Sequence, residues 1–125
     1  MTNIIFIAGG GALGAILRYY MSTGIHNAMG QGFPYGTISV NLLGSIAIGI
    51  IYILTQQKFQ LSLELKAGIM IGILGAFTTF STFSLETITL LESGYAIKAV
   101  LNILLSVVLC IGGCWAGILV GRNLI

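Results

Sequence analysis

Apolar residues fill long stretches of this chain, and polar residues collect in short gaps between them. A membrane-crossing helix needs about 20 mostly apolar residues. Four segments reach that length: about Asn3 to Thr23, about Gly36 to Leu54, about Leu65 to Leu91 and about Ala96 to Gly121. The gaps are His26 to Tyr35, which holds the only proline, the polar Thr55 to Glu64, and a tight turn from Glu92 to Tyr95. Gaps this short leave no room for a soluble domain. The pattern predicts an all-α integral membrane protein, residues 1–125 forming a single transmembrane domain of four helices. The first apolar stretch has no small-residue cleavage site followed by a soluble region, so it reads as a span and not a signal peptide.

Within the spans, polar positions recur with helical spacing. Thr37, Asn41, Ser45 and Gly49 fall every fourth residue of the second span and share one face. Asn41 is the costly member, because its amide needs partners wherever water is excluded. A helix–helix hydrogen bond would satisfy it, and so would a ligand. Asn102, Ser106, Cys110 and Cys114 make a second stripe on the fourth span, and the stripes could face each other across a narrow path.

The third span differs. From Gly75 to Ser84 it carries five hydroxyl residues. A polar tract at membrane depth persists only where it is buried in protein or lines a wet pathway. Ser and Thr compete for backbone hydrogen bonds, and Gly loosens a helix further. These residues predict a break or unwound turn between Gly75 and Phe80. Broken membrane helices expose carbonyls that bind cations and helix ends that bind ions. Phe77, Phe80 and Phe83 lie at intervals of three. Core packing accounts for such a stripe, but ring edges are electropositive and can also meet a small anion.

Composition and charge narrow the classes. With 57% hydrophobic residues, 6% charged and a mean hydropathy of +1.06, a soluble domain of this size is excluded. The net charge of +2 is too small and scattered for nucleic acid. Lys58, Lys66 and Arg122 lie on one side and Lys98 and Arg18 on the other, so the positive-inside bias is almost nil. Insertion both ways with antiparallel pairing is therefore open beside a fixed orientation. Three ridges of small residues (Gly10 and Gly14; Gly68, Gly72 and Ala76; Gly113, Gly117 and Gly121) allow close helix approach. At least one is expected at a subunit interface, hence a homodimer.

Arg18 either snorkels to the interface with Tyr19 and Tyr20 or forms a positive funnel for anions. Glu86 is the only acid within a span, as a proton-coupled cation exporter would need. His26 reads as solvated in its loop, Trp115 as an interface or packing residue, and Cys110 and Cys114 as packing residues. Gly9 to Gly14 imitates a nucleotide fingerprint but has no preceding strand. No hydrolytic, redox or metal-cluster constellation is present, so an enzyme is not expected.

Gly10-Gly11-Ala12-Leu13-Gly14 with Arg18-Tyr19, then Gly36-Thr37 with Val40-Asn41-Leu42-Leu43-Gly44, then Gly75 with Thr78-Thr79-Phe80-Ser81-Thr82-Phe83-Ser84, together resemble the Fluc (CrcB) fluoride channels of microbial membranes. The match covers nearly the whole chain. The resemblance implies a multi-pass protein of the cell membrane that assembles as an antiparallel dual-topology homodimer and passes fluoride passively through a pair of pores. It implies that Phe80 and Phe83 meet fluoride with their ring edges and that Asn41 is a pore amide donor. Thr37, Ser81, Thr82 and Ser106 become polar lining, and Arg18 and Glu86 flank the aqueous approach. It also implies a structural Na⁺ at the dimer centre, held by the backbone carbonyls of Gly75 and Thr78. Ala76 departs from the family pattern, in which a second glycine is common, and Asn102 and Cys110 stand where Tyr and Ser often occur. The competing class is a dual-topology proton-coupled small-cation exporter that uses Glu86; a membrane scaffold with polar stripes as helix glue is the third.

Overall fold

Where water is scarce, the backbone must satisfy its own polar groups, and apolar segments of this length do so as helices. The computed structural model, which describes residues 1–125, contains helices and no strands. Helix α1 runs over Thr2–Met29 and α2 over Tyr35–Gln57. The third crossing is composite: α3 (Leu63–Ala67), a π-helical stretch (Gly68–Leu74), α4 (Gly75–Phe77) and α5 (Phe80–Glu92). Helix α6 covers Ala96–Asn123. All four crossings are long and apolar enough to span a membrane.

The connections use expected chemistry. Gly30 and Gly94, with φ of 88° and 85°, make the left-handed turns after α1 and α5 that a side chain would strain. Ser62 caps α3, its hydroxyl accepting the Leu65 N–H at 3.2 Å. At the end that carries the chain termini, Lys58 Nζ donates to Leu124 O at 3.0 Å; at the other, Lys98 Nζ donates to Gly32 O at 3.2 Å.

Two glycine seams set the packing. Along the first, Gly10 and Gly14 of α1 lie on the backbone of Gly68 and Ile73, and Gly72 meets Ile7 and Gly10 in return. Along the second, Gly49 of α2 lies on Cys114 and Ile118 of α6, while Gly113, Gly117 and Gly121 of α6 lie on Leu42, Ile46 and Ile50. The most extensive helix pairing is α2 with α6, followed by α1 with the π-helical stretch. The glycines of all three ridges thus have partners inside the subunit, so the ridges by themselves do not argue for a dimer. Spacing reveals that helices approach closely, but the same spacing serves an internal or an external partner.

Helix α1 also runs six residues past the Thr23 boundary that hydrophobicity marks. His26 consequently stands in its last turn and not in a loop. Its ring lies over Gly36, and its Nδ1 is buried without a hydrogen-bond partner.

Candidate functional site

The third crossing is interrupted where its hydroxyl run begins. Gly75 is helical (φ −62°, ψ −36°), whereas Thr78 (φ −86°, ψ 156°) and Thr79 (φ −151°, ψ 113°) are extended. Three bonds explain why the chain accepts this. The side chain of Asn41 pairs with the main chain of Thr79 on both sides: Nδ2 donates to Thr79 O at 3.0 Å, and Oδ1 accepts the Thr79 N–H at 2.7 Å. Thr79 Oγ1 then caps α5 by accepting the Thr82 N–H at 3.2 Å. The same hydroxyl donates to Thr82 Oγ1 at 2.9 Å and lies 3.4 Å from Ser81 Oγ.

These bonds release two carbonyls. In an unbroken helix, Thr79 N–H would reach Gly75 O, and Thr82 N–H would reach Thr78 O. Both amides are instead held by the side chains of Asn41 and Thr79. The break therefore carries opposite polarities close together. Freed carbonyls end the first half, and the N-terminus of α5, with no acid in its first turn, opens the second.

Two recesses meet at the break. The larger, about 410 Å³, is lined by Asn41, Ser45, Gly75, Thr78, Thr79, Phe80, Phe83, Ser106 and Cys110 among others. The smaller, about 250 Å³, is lined by Arg18, Ser22, Thr37, Thr79 and Thr82 with neighbouring apolar groups. Thr79 lines both. The Phe80 and Phe83 rings lie 5.3 Å apart at 46°. Phe83 is 9% exposed and Phe80 78%, so one ring belongs to the subunit's interior and the other faces outward. Thr37 Oγ1 donates to Glu86 Oε1 at 2.5 Å, which ties α2 to α5.

Nearly every residue singled out in the sequence lies on one of these recesses or is bonded to it. Asn41, Phe80, Phe83, Ser106, Gly75 and Thr78 gather on the larger, and Arg18, Thr37 and Thr82 on the smaller. Glu86 joins through Thr37, and exposed Ser81 lies beside Thr79. The two polar stripes do face each other, Asn41 and Ser45 across from Ser106 and Cys110. Asn102 does not line this space. It is 1% exposed, donates to Thr87 Oγ1 at 2.9 Å and accepts from Ser106 Oγ at 3.3 Å. It fastens α5 to α6, so Asn102→Leu is expected to lower stability by about 1–2 kcal/mol. The midpoint of thermal unfolding in detergent measures this.

Thr79, which lines both recesses and caps α5, is given no role by the sequence reading. Its signal was present: a Thr directly before a helix start is a preferred N-cap.

The chain matches the family described as CrcB-like protein, Camphor Resistance (CrcB), over residues 5–118. A curated relative from Geobacter sulfurreducens, named Fluoride-specific ion channel FluC, is 48% identical over 124 residues, 99% of this chain and 100% of its own length. One of the same name from Shewanella denitrificans is 52% identical over 111 residues, 89% of each chain. A third, from Methylococcus capsulatus, is 46% identical over 122 residues, which are 98% of this chain but 54% of that protein. The chain thus spans about half of the Methylococcus relative and the whole length of the Geobacter one. A match that runs through all four crossings, and through the break and recesses built on them, means that this chain belongs to the CrcB family.

Proposed function

We propose that the protein is a fluoride-selective passive channel of the cell membrane of a microbe, formed by an antiparallel pair of chains. Its relatives carry the name of a channel and not of an enzyme. The observation that carries the reading is the break at Thr78–Thr79, which gathers an amide, hydroxyls, phenyl rings and a helix N-terminus around one recess. Fluoride is small and strongly hydrated, so its water must be replaced as it passes. The spare N–H of Asn41, the hydroxyls of Ser81 and Thr82, and the electropositive edges of Phe80 and Phe83 supply that replacement, while Ser106, whose proton goes to Asn102, lines the path without donating. Arg18 and the Thr37–Glu86 pair lie toward the approach, where a fixed cation raises the local anion concentration.

The need for a second copy follows from exposure. Gly75 and Ser81 are exposed and Phe80 is 78% exposed, beside irregular backbone in the middle of a crossing. Bare carbonyls and hydroxyls are not left against lipid. A partner laid against this face in the opposite sense would cover them, and the near-equal charge of the two sides permits both insertions. Each subunit then contributes an outward Phe80 to the joint, and a pair of pores results.

The carbonyls of Gly75 and Thr78 suit a hard cation, since they are released from helix bonding and carbonyl oxygens are ligands that hard cations take. A Na⁺ held there by both subunits would neutralise the carbonyl ends at the dimer centre.

Liposomes loaded with fluoride and carrying the purified protein are expected to empty when the counter-ion is allowed to leave, and chloride-loaded liposomes are expected to hold. A fluoride-selective and a chloride-selective electrode read the two cases. Retention of both ions by folded, dimeric protein would reject the channel and favour a proton-coupled exporter acting through Glu86.

A further inference from the structure

We propose that Asn41 is a positioning residue for the cation cradle, and that it acts by holding the Thr79 N–H away from the Gly75 carbonyl. This rests on the reading of Gly75 and Thr78 as the cradle. The inference turns on a competition for one proton. Thr79 N–H has two acceptors in principle: Gly75 O, which an uninterrupted helix would use, and Asn41 Oδ1, which it does use at 2.7 Å. The Asn41 Nδ2–H to Thr79 O bond at 3.0 Å closes the pair, so the side-chain amide binds the main chain as another peptide would. The face of α2 around it is shaped for the task. Gly44, one turn along, lies against Thr78 Cγ2 and leaves no space for a side chain. Ser45 Oγ donates to Asn41 O at 2.7 Å, so it does not compete for the Asn41 side chain.

Loss of the Asn41 acceptor returns the Thr79 N–H to Gly75 O. The helix closes through the break, and one carbonyl is withdrawn from the cation. Linkage makes the effect reciprocal. A cation that binds Gly75 O favours the Thr79–Asn41 pairing, and this orients the remaining Asn41 N–H in the larger recess. Cation occupancy and the donor geometry offered to the anion are thus set by one amide.

The test is the thermal unfolding midpoint of the detergent-solubilised dimer as a function of Na⁺, with N-methylglucamine holding ionic strength constant. A purely structural residue lowers the midpoint equally at every Na⁺ concentration. A positioning residue moves the concentration at which Na⁺ stabilises. Asn41→Leu, or Asn41→Ala if the leucine variant does not assemble, is expected to raise the half-saturating Na⁺ at least tenfold. Asn41→Asp keeps the acceptor, so its half-saturating Na⁺ is expected not to rise, even though a carboxylate in the recess stops fluoride. A wild-type Na⁺ response with unchanged half-saturation in the leucine or alanine variant overturns the coupling and leaves the cradle standing. A raised value in the aspartate variant does the same. Absence of any Na⁺ response in the wild type rejects the cradle, and the coupling with it.

Discussion

Phe83→Ile is expected to abolish fluoride efflux from liposomes while the dimer still assembles, and Phe80→Ile is expected to do the same. Isoleucine keeps an apolar side chain but has no ring quadrupole, so the electropositive edge beside the path is lost. The paired rings, 5.3 Å apart, straddle the boundary between subunit interior and outer face, so the ion would meet both in succession. Flux is expected to fall by at least about 100-fold, which corresponds to about 2.7 kcal/mol on the barrier. Assembly is followed by cross-linking and by elution volume. A misfolded variant therefore cannot pass for a blocked one, and normal efflux in both would remove the rings from the pathway.

The second large effect concerns the scaffold. Gly117→Val is expected to prevent formation of the folded subunit. A side chain at this position would run into the backbone of Ile46, carbonyl oxygen included. Main chain inside a paired helix cannot shift as a flexible side chain can, so the α2–α6 seam must open along its length. Overpacking costs about 1–3 kcal/mol even where side chains adjust, and here they cannot. Gly112→Val supplies the comparison, because Gly112 has nothing within 4 Å. Size-exclusion profiles are expected to show aggregate or no material for Gly117→Val and a normal peak for Gly112→Val. Equal profiles would mean that the seam tolerates side chains.

Much of this architecture was legible in the residues. Hydrophobic runs mark four crossings because a lipid-spanning helix has a minimum length, and the gaps between them are short and polar. The break was legible from Gly75 and the hydroxyl run, though it falls on Thr78 and Thr79 while Gly75 itself stays helical. Helix propensity flags a weak stretch; which residue yields is decided by a partner, here Asn41, that lies 38 residues away. The same distance hid the outcome for Asn41, since a polar stripe does not say what it faces. The glycine ridges were read correctly as contacts, but their direction depends on tertiary packing. The extension of α1 beyond Thr23 was invisible to hydropathy because polar residues such as His26 and Asn27 remain helical. The π-helical turn at Gly68–Leu74 has no composition signal; it lies where α1 approaches most closely.

The interrupted crossing has one more consequence. Its carbonyl end and its 13-residue α5 supply opposite signs from peptide groups, not from ionised side chains. Peptide dipoles do not titrate. Acidification converts fluoride to its neutral acid and so alters how much ion is offered, but the break keeps its polarity throughout. Under the proposed function, a cell whose surroundings turn acid, when fluoride enters fastest as the weak acid, would retain an exit whose central electrostatics are unchanged.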